Sequence, residues 1–242
     1  MTLEELSALF TTRLAEVVSY APVPRPPATP RHDRTIKHTL YPIEHLPELI
    51  AELEKLDDAE GDKKFSVRYL VDEENVLWLA REGKPGRHIP AHRQMRDNCL
   101  AAGNIFFSQD FTEITKINHQ SGDFHPDAAS LLWPLAILNC MKTTLSNPCV
   151  IEVSRITPAG NFEREQELSV TPEEMAFILS GSAVLQEKLL VANQGKIPDI
   201  IEYVDPARPQ RFFPDISTTE SLAAAAGEAS SIDESLQPRR LF

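Results

Sequence analysis

Apolar residues recur at helical spacing over the first part of the chain, and a proline-rich stretch follows them. In TLEELSALFTTRLAEVVSY this spacing predicts an amphipathic helix over residues 1–19, begun by a capping box of Thr2 and Glu5. Residues 20–34 include five prolines, which favour an extended linker over a helix. The first helix therefore either docks on the main body through this tether or forms an arm that binds a partner.

A second apolar stripe predicts another helix within residues 42–56. From Phe65 onward, apolar and polar residues alternate in FSVRYLV, NVLWLA, GNIFFS and FTEITKIN. This period of two predicts four antiparallel strands, with hairpin turns at residues 72–75 and 108–110. The stretch 83–98, which is rich in glycine, proline and charge, predicts a long loop.

Helices and strands also follow one another in the second half of the chain. DAASLLWPLAILNCMKTTL predicts an apolar helix capped by Asp127, and NPCVIEVSRI and NFEREQELSV predict two further strands. A last long helix begins at Thr171, bends near Gly181 and closes at Gly195. The order of these elements predicts an α+β domain over residues 35–205, in which helices pack on an antiparallel sheet.

The apolar pattern fades over the last segment, residues 206–242. Its stretch ISTTESLAAAAGEASSIDESLQPRRLF is made mainly of small and acidic residues, with almost no aromatic anchor. Such a composition buries too little apolar surface to offset the ordering entropy of the chain. The sequence therefore predicts a disordered acidic tail after the folded domain.

The net charge of −12 changes which partners are expected. Proteins bind the phosphate backbone through a basic surface, so nucleic acid is not expected as a partner. No run approaches the roughly 18 consecutive apolar residues of a membrane-spanning helix, and the start lacks the basic segment and apolar core of a secretory signal. We therefore expect a protein that works in a cytoplasm and has no membrane span.

The three cysteines show neither a metal-binding nor a disulfide pattern. Cys99, Cys140 and Cys149 are odd in number and lack CxxC spacing, which favours reduced, mostly buried thiols. No cofactor is predicted.

Two histidines, a serine and an aspartate stand close together in KINHQSGDFHP, residues 116–126. In an enzyme, a histidine would be the base, Ser121 the nucleophile and Asp123 the orienting acid. The short spacing and the lack of a GxSxG turn argue against this interpretation. In a turn, Gly122 supplies backbone freedom, the polar side chains bond nearby amides, and Pro126 ends the strand.

A metal site is a third interpretation of this region. His88 and His92 in the preceding loop could face His119 and His125, and histidine is a common metal ligand. No HExxH or similar spacing supports such a site, so no metal is predicted. The candidate catalytic residues are His92, Ser121, Asp123 and His125.

The run AAGNIFFSQDFTEITKINHQSGDFHP resembles a module of many bacterial effectors and toxins, and of plant proteins that bind calmodulin through an IQ motif. In that family the run reads roughly AAGxIxxxxGxIxxIxNxSGHYxP, after a loop with a histidine and before a helix. His92 is the candidate for the histidine of the loop. The matching positions in the run are Ala101, Ala102, Gly103, Ile105, Ile114, Ile117, Asn118, Ser121, Gly122, Phe124 and Pro126.

The chain departs from this family at two adjacent positions, and the first of them is informative. Asp123 stands where the family has a histidine, and Phe124 stands where it has a tyrosine. If that histidine carries chemistry in the family, this chain has lost it or replaced it with a carboxylate. The module has no single established reaction, so the resemblance implies a host-facing context. The chain has no IQ motif of the IQxxxRGxxxR type, and calmodulin binding is therefore not expected.

The final residues, EASSIDESLQPRRLF, are similar to the C-terminal signals of effectors exported by Dot/Icm type IV secretion systems. Such signals must be exposed, which agrees with the predicted tail. The resemblance implies export from the cytoplasm of a producing bacterium into the cytoplasm of a host cell.

The leading hypothesis is a secreted bacterial effector that acts in the host cytoplasm by binding a host protein through the first helix or the loop 83–98. A secretion chaperone is a candidate second partner. The alternative is an enzyme of transferase type that modifies a host protein with the His/Ser/Asp cluster at the 118–126 corner. A chaperone-like adaptor also fits the acidic charge and the first helix, although nothing in the sequence selects it.

Overall fold

An eight-stranded sheet forms the centre of the fold. The computed structural model describes residues 1–16, 23–24, 34–55, 65–81, 91–157 and 162–205. The strands in chain order are β1 (Val23–Pro24), β2 (Arg34–Pro42), β3 (Ser66–Val71), β4 (Leu77–Arg81), β5 (Asn98–Cys99), β6 (Ala101–Phe107), β7 (Ile114–Asn118), β8 (Leu145–Ile156), β9 (Phe162–Val170) and β10 (Asp199–Asp205). The large sheet has the order β10-β2-β4-β3-β6-β7-β8-β9, and β1 pairs with β5 in a separate two-stranded sheet.

Helices flank this sheet, so the predicted α+β class is confirmed. They are α1 (Leu3–Glu16), α2 (Leu46–Glu54), α3 (His92–Met95), α4 (Leu132–Cys140), α5 (Pro172–Ile178) and α6 (Ala183–Asn193), with 3-10 turns at Ile43–His45 and Ala128–Leu131. Thr171 begins α5 through a capping box with Glu174. The last two helices meet at an angle of 103°, which confirms the bend predicted near Gly181.

One strand pair departs from the antiparallel pattern that the sequence predicts. β7 and β8 run parallel, with Ile117 opposite Ile151 and Asn118 opposite Glu152. Parallel neighbours need a long connection between them, and here the 3-10 turn and α4 provide it. The sheet is therefore mixed, with two antiparallel blocks that meet at this parallel junction.

The two faces of the sheet bury different side chains. On the helical face, Tyr69 and Ile105 from the strands pack in one core with Trp133 from α4. On the other face, Trp78 and Phe124 belong to a smaller cluster. The alternation read from the sequence thus corresponds to residues that point to opposite faces of the sheet.

The first helix lies on the main core. Leu6 and Phe10 are 0% and 1% exposed, and Arg13 forms an ion pair with Asp127 at 2.5 Å. Docking is therefore the role that the structure shows for this helix. A free arm is excluded, because the apolar face that a partner would need is already covered by the rest of the fold.

Several predicted segments lie outside the described residues. They are most of the linker 20–34, the first part of the loop 83–98, and the tail 206–242. The described remainder of that loop forms α3 and β5 instead of irregular structure. Within the described ranges, no single helix is long and apolar enough to cross a membrane, and only the bent pair α5 and α6 meets those criteria when taken together.

Candidate functional site

The motif at residues 116–126 folds into a corner between the end of β7 and the turn before α4. Gly103 in the neighbouring strand β6 allows this corner, because a Cβ atom there would lie 2.1 Å from the carbonyl oxygen of Asn118. The hydroxyl of Tyr69 donates to that same oxygen at 2.8 Å. The end of β7 therefore approaches β6 so closely that only glycine fits at position 103.

Asn118 also fixes the corner through its side chain. Its Oδ1 atom accepts hydrogen bonds from the backbone nitrogen of Asn104 at 3.0 Å and from that of Gln120 at 3.2 Å. Asn118 is 2% exposed, and buried amides are stable only when they are paired. The asparagine of the motif therefore ties the turn to β6.

His119 joins the corner to β8. Its ring is buried, with Nδ1 at 2.9 Å from the carbonyl oxygen of Pro126 and Nε2 at 3.1 Å from the backbone nitrogen of Ser154. The amide of Ser154 donates, so Nε2 is the acceptor and Nδ1 carries the proton. Burial lowers the pKa of His119 and outweighs its hydrogen bonds, which act in the opposite direction. The ring is therefore a neutral structural bridge.

Two of the predicted catalytic residues meet at the short helix α3. His92 Nε2 lies 2.9 Å from the carbonyl oxygen of Gly103, and this acceptor makes Nε2 the donor. Asp123 accepts a hydrogen bond from the backbone nitrogen of Arg93 at 3.3 Å, and its other oxygen lies 3.6 Å from Arg93 Nε. Both side chains thus hold α3 against β6 and the corner.

The other two predicted catalytic residues are not joined as nucleophile and base. Ser121 is fully buried, and its Oγ accepts a hydrogen bond from the backbone nitrogen of Phe124 at 3.4 Å. In the part of the chain that the structure describes, no hydrogen bond connects this hydroxyl to a histidine ring. His125 is exposed, with φ at 52°, and its backbone nitrogen donates to the carbonyl of Ser121 at 2.9 Å. The geometry of the cluster is that of a turn.

The histidines do not gather around a metal site either. His88 lies outside the described residues, and both ring nitrogens of His119 are used by the backbone. Across the described ranges, no group of three or more histidine, cysteine, aspartate or glutamate side chains is arranged to hold a metal ion.

The thiols are free, and two of them are buried. Cys99 and Cys149 lie in the interior, where burial raises the pKa of each thiol to about 12. Cys140 is half-buried. A buried thiol with a raised pKa stays protonated at neutral pH and is a poor nucleophile.

A partly buried ion pair beside the corner was not singled out from the sequence. Glu152 in β8 is 3% exposed and lies 2.9 Å from Nζ of Lys116 in β7. Gln120 donates one hydrogen bond to Glu152 at 2.5 Å and another to Ser154 at 2.8 Å. Only the parallel register of β7 and β8 brings these residues together, so spacing along the chain gave no signal. They link the two strands on the face away from the main core.

A cleft of about 630 Å³ opens elsewhere on the molecule, between α2, the β6–β7 hairpin and the end of α4. Its lining comes from residues 43–54, 107–114 and 141–144. Half-buried Ile50 and Met141 contribute apolar surface to it. Exposed charged side chains, among them Glu54 and Lys142, stand among the same lining residues.

Two residues of the cleft hold a left-handed backbone that normally favours glycine. Phe111 has φ at 58°, and Lys142 has φ at 55°. Such a conformation costs a residue with a side chain roughly 1–2 kcal/mol. Ring contacts hold Phe111 in place, with centroids 5.1 Å from Phe65 and 5.9 Å from Phe107. The walls of the cleft are therefore fixed at a cost in stability, which is a pattern typical of functional surfaces.

Comparison with protein-family models, with curated proteins and with solved structures finds no match to this chain. The resemblance of the motif to the effector module, and that of the tail to export signals, therefore stay predictions.

Proposed function

We propose that the chain is a bacterial effector that is exported by a Dot/Icm type IV secretion system and binds a host protein in the host cytoplasm. Two sequence resemblances support export and location. Residues 101–126 resemble the module of bacterial effectors and toxins, and the final residues resemble secretion signals of this type.

One structural observation favours binding over catalysis. Ser121, Asp123 and His92 are hydrogen-bonded to the protein's own backbone, so the corner is built as a structural element. The cleft instead offers accessible apolar and charged side chains from three segments of the chain. A concave surface with this mixture is suited to recognition of another molecule. The cleft is the surface that we assign to the host protein.

Export is tested with a translocation reporter fused to the N-terminus of the full chain. We expect the reporter to reach the host cytoplasm from a bacterium with an active Dot/Icm system. It should be retained when the system is inactivated or when residues 206–242 are deleted. Equal delivery with and without these residues would contradict the assignment of the signal to the tail.

Binding is tested by affinity purification from host-cell lysate with matched variants of the full chain. Thr144→Trp fills the cleft with a large side chain, and Thr12→Trp makes the same change at an exposed position of α1. We expect one host protein to be recovered with the natural chain and with Thr12→Trp, and to be lost with Thr144→Trp. If the host protein is recovered with both variants, the binding surface lies outside the cleft. If no host protein is recovered with the natural chain or with either variant, the proposed function is refuted.

Deletion of the first helix is not a suitable test of binding. Leu6 and Phe10 belong to the main core, so their removal would unfold the domain and abolish any activity.

A further inference from the structure

We propose that the cleft takes an amphipathic basic helix of the partner protein, an inference that rests on the proposed function. Three carboxylates line the cleft, at Glu44, Glu54 and Glu113, against the single cation Lys142 among the described lining residues. Glu44 is partly committed, because it accepts a hydrogen bond from the backbone nitrogen of Gly195 at 2.6 Å. The other two carboxylates leave the cleft with a negative lining that attracts lysine or arginine.

One wall of the cleft is a helix face, which favours a helical partner. Ile43, Leu46, Ile50 and Glu54 all line the cleft, and their spacing of three to four residues puts them on one side of α2 and the turn before it. The nine residues of α2 span about 14 Å. A second helix of two to three turns, laid along this wall, would be contacted over its whole length. Recognition of an amphipathic helix in a groove has this geometry.

The floor of the cleft accepts apolar side chains. Leu46, Ile50 and Met141 are half-buried, and they pack against the main core beneath the cleft. The volume of about 630 Å³ is about four times that of a cavity that admits one benzene ring, roughly 150 Å³. The cleft therefore has room for several apolar side chains of one helix face.

Two further properties make a basic helix a favourable partner. The net charge of −12 attracts a basic segment over a distance and speeds its association. Hydrogen bonds from Phe111 to Ser108 at 3.0 Å and from Lys142 to Asn139 at 3.1 Å hold the cleft in shape before the partner arrives. A surface that is already ordered loses little entropy on binding.

The test measures binding of a labelled synthetic peptide to the full chain by fluorescence anisotropy. The probe is an amphipathic leucine–lysine helix about 14 residues long, and its leucine–glutamate counterpart serves as the charge control. The double variant Glu54→Lys/Glu113→Lys reverses the charge of two lining residues of the cleft. Glu165→Lys/Glu187→Lys makes the same change in net charge at exposed positions outside the cleft. Because two attractive contacts become repulsive, we expect about tenfold weaker binding of the basic peptide by the cleft variant.

The basic peptide should bind the natural chain and the outer variant within about twofold of each other, and the acidic peptide should not bind. Equal weakening by both double variants would show that net charge alone drives binding, and it would overturn the proposal. Tighter binding after deletion of residues 206–242 would assign the cleft to a segment of the same chain. A change of oligomeric state in the cleft variant would assign it to a second copy. Each of these two results would also overturn the proposal.

The host-lysate experiment separates this inference from the proposed function. If the host protein is recovered equally with the natural chain and with Glu54→Lys/Glu113→Lys, but is lost with Thr144→Trp, the cleft binds a host protein and the basic helix is wrong. If no host protein is recovered with any variant, the proposed function itself fails.

Discussion

The corner at 118–126 and the cleft differ in where their polar groups are used. In the corner, Asn118, His119 and Asp123 bond the backbone of the same chain, and the close approach at Gly103 leaves no room for change. In the cleft, Glu54 and Lys142 are exposed among apolar side chains. A motif rich in histidine, serine and aspartate can therefore serve only to stabilise the fold. The accessible surface of the cleft is formed by residues that belong to no recognisable motif.

The largest expected effect comes from Gly103→Ala. The new Cβ atom would meet the backbone of Asn118, and backbone cannot give way as a flexible side chain can. We expect a loss of about 3 kcal/mol in the free energy of unfolding, measured by urea denaturation. Gly122→Ala is the matched control, because a Cβ there meets nothing within 4 Å, and it should change stability by no more than about 0.5 kcal/mol. Equal effects of the two would contradict the close approach of Asn118 to Gly103.

The next effect belongs to His119→Ala. The substitution leaves the carbonyl of Pro126 and the amide of Ser154 without the partner that His119 provides, which we expect to cost about 2 kcal/mol. His125→Asn is the control, because His125 is exposed and asparagine tolerates its positive φ. Calorimetric unfolding should separate the two variants clearly. If His119→Ala unfolded with the same free energy as the natural chain, the ring would not be a structural bridge, and a catalytic role for the corner would become the better interpretation.

Acid should destabilise the fold from about pH 6.5 downward. Burial lowers the pKa of His38 from 6.5 to about 4, and it lowers that of His119 as well. Because the folded state favours the neutral rings, their contribution to stability is complete above pH 6.5 and is lost as the pH falls from there toward the folded values. Urea midpoints measured between pH 7.5 and pH 4 should therefore fall, and a flat profile would contradict the buried neutral rings.

The smallest expected change in stability tests the strained backbone of the cleft. Lys142→Gly removes the strain of a left-handed backbone, and we expect a gain of about 0.5–1 kcal/mol after the entropy cost of glycine. Phe111→Gly is the comparison variant. It relieves the same kind of strain but loses the ring contacts with Phe65 and Phe107, so the net change in stability should have the opposite sign. Thermal unfolding of both variants measures whether each substitution stabilises or destabilises the fold. A loss with Lys142→Gly would show that the lysine is not strained.

Strand β3 shows why part of the sheet could be predicted from the sequence. In β3, Val67, Tyr69 and Val71 all enter the main core, so the period of two is visible in the letters. β2 and β10 were not predicted, although TIKHTL in β2 alternates. β2 follows a proline-rich stretch, and β10 contains the adjacent pair Ile200 and Ile201, which breaks the alternation. Their pairing is apparent only once both strands are placed.

The turn interpretation of KINHQSGDFHP agrees with the structure, because Asn118 and Ser121 accept hydrogen bonds from the nearby amides of Gln120 and Phe124. The residue with a positive φ is His125, however, and not Gly122. The long-range partners of the same residues could not be read from the chain. Ser154 lies 35 residues after His119, and Gly103 lies 11 residues after His92. The cleft was missed for the same reason, since three distant segments form it and none carries a distinctive pattern.

The parallel junction between β7 and β8 has a consequence for the order in which the sheet assembles. Hairpins such as β3–β4 and β8–β9 join neighbours in the chain and close quickly, whereas β8 can pair with β7 only after the intervening helix has crossed over. We therefore expect the two antiparallel blocks of the sheet to form separately before they join at this junction. The contact of Lys116 with Glu152, which joins β7 to β8, would then be among the last to form.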